Sequence, residues 1–539
     1  VSQQKAFGAF YTAQHVADFL VSWALRDEAD VVCDPSFGGG VFLEAAATRL
    51  TALGGSAETV YGVELDQNVH ARISRELAEQ YDIPATNLLW RDFFAVQPGD
   101  VPPLDVLIGN PPFIRFQRFA GESRQRALAR CAEQGVQVNQ LASSWTGFVV
   151  HGTALLQAGG RLAMVIPAEL LHAPYARPVL AYVAEHFARA GIMTFNAPLF
   201  ADLSQDTLLL VAEGKGGKTE VLEWQDLASD ADLDKPHETK KLAVSPFISG
   251  QRRLRHHLID EKALELYTHL TQHTRSLADV ADVGIGYVSG ANHFFHVDAQ
   301  TKEHWQLPAA VLAPAVYRAK AFAGLQFTAA DWQAAQGDAG WLLRLENMDA
   351  LTSTEKAKVE AYLEHGLVQN VHQGYKCRHR NPWYVVPHVR VPDGFLSYMS
   401  GLRPQIVTNA AGAVAPNTLH LVRLKPDAGV SMAAVTALWQ TSLTALSVEL
   451  EGHALGGGML KLEPREAGRV RLAKVAKKLE PLAQELDAMF RANQDDEARA
   501  LADEVILRQG LGLSEEDCQL LRESAKYLRD RRYYRGRRT

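Results

Sequence analysis

The chain has 539 residues, 47% of them hydrophobic and 22% charged, with a formal net charge of -7. That length exceeds one ordinary core and leads us to expect two or three domains; the composition excludes a disordered or fibrous chain, and the acidic balance argues against a dedicated basic nucleic-acid binder. Four scattered cysteines without metal or redox spacing, no apolar run long enough to cross a bilayer and no secretory layout in "VSQQKAFGAFYT" point to a cytoplasmic protein without membrane association or metal.

Residues 1–228 alternate strand-like and helix-like segments, as an α/β sheet does. Thr12 is placed as the N-cap of a helix over 13–25. A short buried strand then ends at Asp34, and "GGVFLEAAATRL" is the following helix. "TVYGVELD" and "QNVHARISRELAEQY" repeat the strand–helix unit; "NLLWRDF" and "LDVLIGN" are two further strands. "WTGFVVHGTALLQAGG" is expected to be a helix stopped by its glycines, and "RLAMVIP" another buried strand. "DTLLLVAEGKGGKTEVLEW" reads as an antiparallel hairpin turning at Gly214–Gly217 that closes a mixed sheet. The polar stretch 229–244 is expected to be a linker. Residues 245–472 carry many short, aromatic-rich strands, and 473–539 form helices, with Ser514 opening the last one through a capping box. That helix runs into the basic tail "KYLRDRRYYRGRRT".

The loop "DPSFGGG" lies between a strand and a helix, where ligands bind in open α/β sheets. A phosphate-binding P-loop would need Lys-Ser/Thr where Val41 and Phe42 stand, and a dinucleotide fingerprint would need glycine at Leu43. A nucleoside-type ligand without phosphate remains. Asp34 at this loop would repel phosphate and accept an ammonium group. Glu64 ends the second strand, where a carboxylate can accept two ribose hydroxyls. Asp92 ends the third strand, an acceptor for an adenine amino group, with apolar Phe93 beside it to cover the base. Any one of these acids could simply cap a turn. Their ordered recurrence describes S-adenosylmethionine.

The fourth strand delivers "NPPF" to the same sheet edge. Pro111 and Pro112 have no N–H. The Asn110 side-chain oxygen and the Pro111 carbonyl therefore form a pair of acceptors suited to an NH2 group. Phe113 offers a flat face on which a base can stack, worth about 1–3 kcal/mol. Two hydrogen bonds to an aromatic amine localise its lone pair, so that it can attack a methyl group by positioning and electrostatics alone.

With these motifs in order, the chain resembles the γ-type DNA adenine-N6 methyltransferases. The resemblance covers "FGAFYT", "DPSFGGG", "GVELD", "RDFF", "NPPF" and "GGRLAMVIP". It implies a Rossmann-like class I methyltransferase domain over 1–228. The cofactor residues would be Tyr11, Thr12, Asp34, Pro35, Ser36, Gly38, Gly40, Glu64, Leu65, Asp92, Phe93 and Asn110. The catalytic set would be Asn110, Pro111, Pro112, Phe113 and, from the other side of the base, Phe200. Tyr is common at the position of Phe113, and Phe also occurs in guanine-N2 RNA methyltransferases. Cytosine N4 of DNA, guanine N2 of RNA or a protein glutamine therefore stand as alternative acceptors, and a binding subunit that kept the fold as a non-enzymatic one.

A base inside a duplex must be extruded to reach such a pocket. The mixed α+β region 245–472 is expected to hold and read double-stranded DNA, beside the helical 473–539. Arg115, Arg118, Asn292, Arg380, Trp383, Asn409 and Lys461 are candidate contacts, since Arg and Asn make two-point contacts to base edges and Lys to phosphates. The cofactor motif begins within ten residues of Val1, so no upstream nuclease domain is expected. A cleaving partner would be a separate restriction endonuclease, and the chain itself a monomer.

Overall fold

The computed structural model describes residues 12–114, 118–139, 142–197, 199, 206–455 and 458–536. Tyr11, Arg115 and Phe200 lie outside the described residues. The chain divides into two compact units, Val1–Leu258 with Tyr533–Thr539, and Ile259–Arg532.

The first unit is built on one nine-stranded sheet. Its strands are β1 (Val32–Asp34), β2 (Val60–Glu64), β3 (Leu88–Trp90), β4 (Leu104–Gly109), β5 (Leu156–Pro167), β6 (Phe187–Phe195), β7 (Thr207–Lys215), β8 (Val221–Leu227) and β9 (Lys240–Ala243), in the order β3-β2-β1-β4-β5-β7-β6-β8-β9. The first five are parallel, and β7 runs antiparallel to both β5 and β6. The helices include α1 (Gln14–Ala24), α2 (Val41–Leu53), α3 (Gln67–Tyr81), α4 (Gly121–Glu133), α5 (Trp145–Leu155) and α6 (Arg177–His186). Strands covered on both faces read as near-continuous apolar runs; β4 and β5 do so, with Val106, Leu107, Ile108, Leu162, Ala163 and Met164 fully buried. The strand order reverses between β1 and β4, which opens a crevice at their carboxyl ends.

Sharp local chemistry sets where α2 and α3 begin. Gly40 enters α2 with φ +87°, and a Cβ there would lie 3.0 Å from the Ile73 side chain of α3. Asp66 caps α3 by accepting hydrogen bonds from the Asn68 and Val69 amides at 2.8 and 3.1 Å.

Four expectations are corrected here. The closing antiparallel pair is β6 with β7, while the expected hairpin partners β7 and β8 are separated by β6. The sequence "FARAGIMTF" alternates weakly and hid that strand. The stretch 229–244 is not simply a linker, because β9 adds to the sheet edge against β8. The glycines after α5 do not stop it: the helix ends at Leu155 and the chain enters β5 at once. Thr12 does not cap α1, whose N-cap is Ala13 without a side-chain bond.

The second unit has a five-stranded sheet that includes Ala281–Ile285, Gly394–Leu396, Ile406–Asn409 and His420–Leu424. Phe327, Phe395 and Val407 form one of its apolar cores. A second is built on Phe294, Phe295, Leu342 and Tyr362, with the Phe294 and Tyr362 rings stacked 4.6 Å apart. The C-terminal helices up to Arg532 fall in this same compact unit, and Arg471–Ala473 before them pairs with Thr274–Ser276. The capping box at Ser514 forms, with Asp517 as its second member. Part of the basic tail is structural: Arg532 is 3% exposed, pairs with Glu449 at 2.9 Å and donates to the Leu402 carbonyl at 2.8 Å.

Candidate active site at the carboxyl edge of the sheet

Strand pairing brings the predicted acids to one edge. Asp34 is level with Gly62 across β1 and β2, and Glu64 with Trp90 across β2 and β3. Asp34 is 1% exposed and accepts the Ser36 amide at 2.9 Å. Burial pushes its carboxyl up to about 8; the Ser36 amide opposes this and nearby Glu64 adds to it. The end of β4 lies directly against this group, because a Cβ at Gly109 would stand 2.6 Å from Asp34 Oδ1. Glycine is required there for the two motifs to meet.

Glu64 organises the loop from the next strand. Its carboxylate oxygens accept the Gly38 amide at 3.0 Å and the Asp66 amide at 2.8 Å. Each oxygen retains a second lone pair for a hydroxyl donor. Asp92 accepts the Phe94 amide at 3.1 Å and pairs with Arg126 of α4 at 3.2 Å.

Phe93 does not offer the apolar cover expected of it. It is 3% exposed, and its ring stacks on Phe148 of α5 at 5.4 Å with an interplanar angle of 3°. The short helical turn capped by Asp92 swings this ring into the core. The apolar groups exposed at this edge are Leu65, 53% exposed, and Trp90, 55% exposed, whose indole donates to the Leu65 carbonyl at 3.1 Å.

The Asn110 amide nitrogen donates to Thr12 Oγ1 at 3.2 Å, so the hydroxyl expected to cap a helix is used at the end of β4. Phe113 is 6% exposed. A residue the sequence analysis missed holds the loop. Ser144 Oγ accepts the Ile114 amide at 2.9 Å and donates to the Pro112 carbonyl, while its own amide donates to the Ile114 carbonyl at 3.1 Å. Next to it, Ser143 donates to Glu169 at 3.2 Å, and the Tyr175 hydroxyl donates to the Glu169 carboxylate and lies 3.1 Å from the Ser143 hydroxyl. Burial, then Glu169, pushes the Tyr175 hydroxyl above the usual tyrosine range, so it stays a donor. The only sequence cue for Ser144 was a serine just before an apolar helix.

The residues fit S-adenosylmethionine: three carboxyl groups, of Asp34, Glu64 and Asp92, lie at one edge beside an exposed leucine, and the Ser36 hydroxyl in the glycine loop is buried without a hydrogen-bond partner. No cluster of His, Cys, Asp or Glu able to hold a metal occurs among the described residues.

The DNA candidates fare less well. Arg380 donates to the Ser289 and Val288 carbonyls at 2.7 and 2.6 Å, and Asn409 to the Pro392 and Ala413 carbonyls, both at 2.9 Å. Trp383 packs 5.6 Å from Phe294. Lys461 pairs with Glu463, and Asn292 accepts from Ser289. Backbone carbonyls meet Arg380 and Asn409 and a core ring meets Trp383, while Asn292 is exposed. Arg118 is exposed.

A doubly wound sheet closed by an antiparallel seventh strand, with acids at its first three strand ends and Asn-Pro-Pro-Phe after the fourth, is the architecture of a class I methyltransferase that acts on an amino group. Residues 1–226 match the N-6 DNA Methylase family, and residues 251–507 match the C-terminal domain of Type II methyltransferase M.Eco57I. The chain thus matches, along its first and second parts in turn, domain families of N6-adenine DNA methylases and of Type II methyltransferases. It is 23% identical over 481 residues to Type II methyltransferase M.XamI of Xanthomonas campestris pv. amaranthicola, covering 86% of this chain and 85% of that one. It is 22% identical to M.HincII of Haemophilus influenzae over 36% of this chain and 34% of that one, so it spans about a third of that relative. Among solved structures, the Type IIL restriction-modification enzyme MmeI in complex with DNA has a similar fold, with TM-score 0.55 and 10% identity over 96% of this chain and 75% of that one.

Proposed function

We propose that this chain transfers a methyl group from S-adenosylmethionine to the N6 amino group of an adenine extruded from duplex DNA, as the sequence-specific modification enzyme of a restriction-modification system. The observation that carries this is the meeting of two motifs at one point: Gly109 admits the Asp34 carboxylate against the end of β4, one residue before Asn110. S-adenosylmethionine, when bound, supplies a methyl group activated by a sulfonium.

Asp34 accepts its amino group, Glu64 its ribose hydroxyls and Asp92 its adenine amine, with Leu65 against the ring. Asn110, rotationally fixed by Thr12, and the Pro111 carbonyl accept the two hydrogens of the target amine. This favours a tetrahedral nitrogen with its lone pair directed at the methyl carbon. Phe200 covers one face of the target base, and Phe113, 6% exposed in the chain without DNA, turns out of the core onto the other. The Ser144 bonds hold the loop in one geometry, so little reorganisation is needed at the reacting step. The second unit reads the flanking sequence.

The test is incubation with tritiated cofactor and duplex DNA of varied sequence, followed by digestion to nucleosides. Label in N6-methyladenine is expected. Label in N4-methylcytosine, in RNA guanine, in protein or nowhere refutes the assignment.

A further inference from the structure

The first unit carries a concentration of positive charge that the site described above does not use. In a chain of net charge -7, residues 239–259 hold five Lys or Arg and two His, with no Asp or Glu, and residues 170–184 are likewise free of acids. The fold brings these two stretches together: His172, Arg177, Phe247, Arg252, Arg253 and Leu171 line one small cavity. Gly250 lets Arg177 approach, since a Cβ there would fall 2.2 Å from its guanidinium. His256 is lowered to about 3 and His257 to about 4, chiefly by burial and then by neighbouring cations, Arg253, Arg255 and Arg252 around His256 and Arg252 and Lys240 around His257. Such repulsion is retained only at some cost in stability.

The position is informative. Leu170 to Arg177 follow the carboxyl end of β5, the neighbour of β4, so the patch opens at the same sheet edge as Asn110. Tyr175, two residues before Arg177, bonds to Ser143 and Glu169, and the adjacent Ser144 holds the Asn-Pro-Pro-Phe loop.

We propose that His172, Arg177, Arg252 and Arg253 form a phosphate-gripping surface of the first unit that takes the sugar–phosphate backbone of duplex DNA beside the extruded base. The proposal rests on the functional reading above. A planar guanidinium matches phosphate geometry. Such contacts set register and orientation without reading sequence.

The test uses the full chain with Arg177→Gln, Arg252→Gln, the double variant, and Arg252→Lys. Affinity for cognate and non-cognate duplexes is measured by fluorescence anisotropy across a salt series, and cofactor affinity by calorimetry. Each lost phosphate contact should lower the log–log salt slope by about 0.9, so the drop in affinity between 50 and 200 mM salt shrinks about 3.5-fold per contact. The loss should be equal on both duplexes, Arg252→Lys should retain the slope, and cofactor affinity should stay unchanged. Arg252 is exposed, so its variant tests the idea even if Arg177→Gln folds poorly. An unchanged slope in Arg252→Gln, or a loss confined to the cognate duplex, overturns the proposal. Competition by inorganic phosphate at low millimolar levels, with no slope change on DNA, would assign the patch to a free anion and overturn it too. Absence of methyl transfer by the wild-type chain refutes the functional reading separately, because the slope is read from binding.

Discussion

Replacing Asp34 by Asn tests the electrostatics of the cofactor site directly. Its carboxyl is held near 8 instead of 3.8, first by burial. The folded chain therefore keeps a proton that the unfolded chain releases. Stability from the neutral side chain is complete below about pH 4 and is lost as pH rises toward 8, at about 1.4 kcal/mol per unit. At pH 7 the cost reaches about 4 kcal/mol. Asn keeps an oxygen for the Ser36 amide and cannot ionise, so the variant should be more stable than wild type by an amount that grows with pH. A cationic cofactor group favours the carboxylate, so cofactor affinity of the wild type should rise with pH up to about 8, while that of the variant should be weak and flat. Hydrogen exchange in β1 and β4 of the full chain from pH 5 to 8, read by mass spectrometry with and without cofactor, measures both. A stability difference independent of pH would refute the reasoning.

Three further substitutions separate chemistry from binding. Asn110→Ala removes an acceptor from the amine cradle and should cut single-turnover methyl transfer by about 100-fold or more, with cofactor affinity by calorimetry weakened much less. Ser144→Ala removes both bonds to the half-buried Ile114 amide and Pro112 carbonyl; it should cost about 0.5–1.5 kcal/mol per bond and lower kcat while cofactor affinity holds, and an unaltered kcat would show the loop needs no such support. Gly109→Ala sets a methyl group 2.6 Å from Asp34 Oδ1, so calorimetry should find cofactor binding lost or greatly weakened; wild-type affinity would mean the two strand ends move apart freely.

The primary structure alone determined the α/β class, the ordered acids at successive strand ends and the donor-free Asn-Pro-Pro-Phe segment. These are local facts: periodicity, a proline without an N–H and a glycine before a helix act within a few residues. Tertiary structure decided the rest. Whether Phe93 faces a ligand or the core depends on Phe148, 55 residues away, and whether Thr12 caps a helix depends on Asn110. The insertion of β6 between β7 and β8 is a pairing choice with no local sequence mark. Arg380 reads as a nucleic-acid contact in the sequence, but its guanidinium meets the Ser289 carbonyl 91 residues away, while the basic surface around Arg177 and Arg252 existed only once two segments some 75 residues apart were folded together. Side-chain identity limits what a residue can bind, but which partner is nearest is settled by long-range packing.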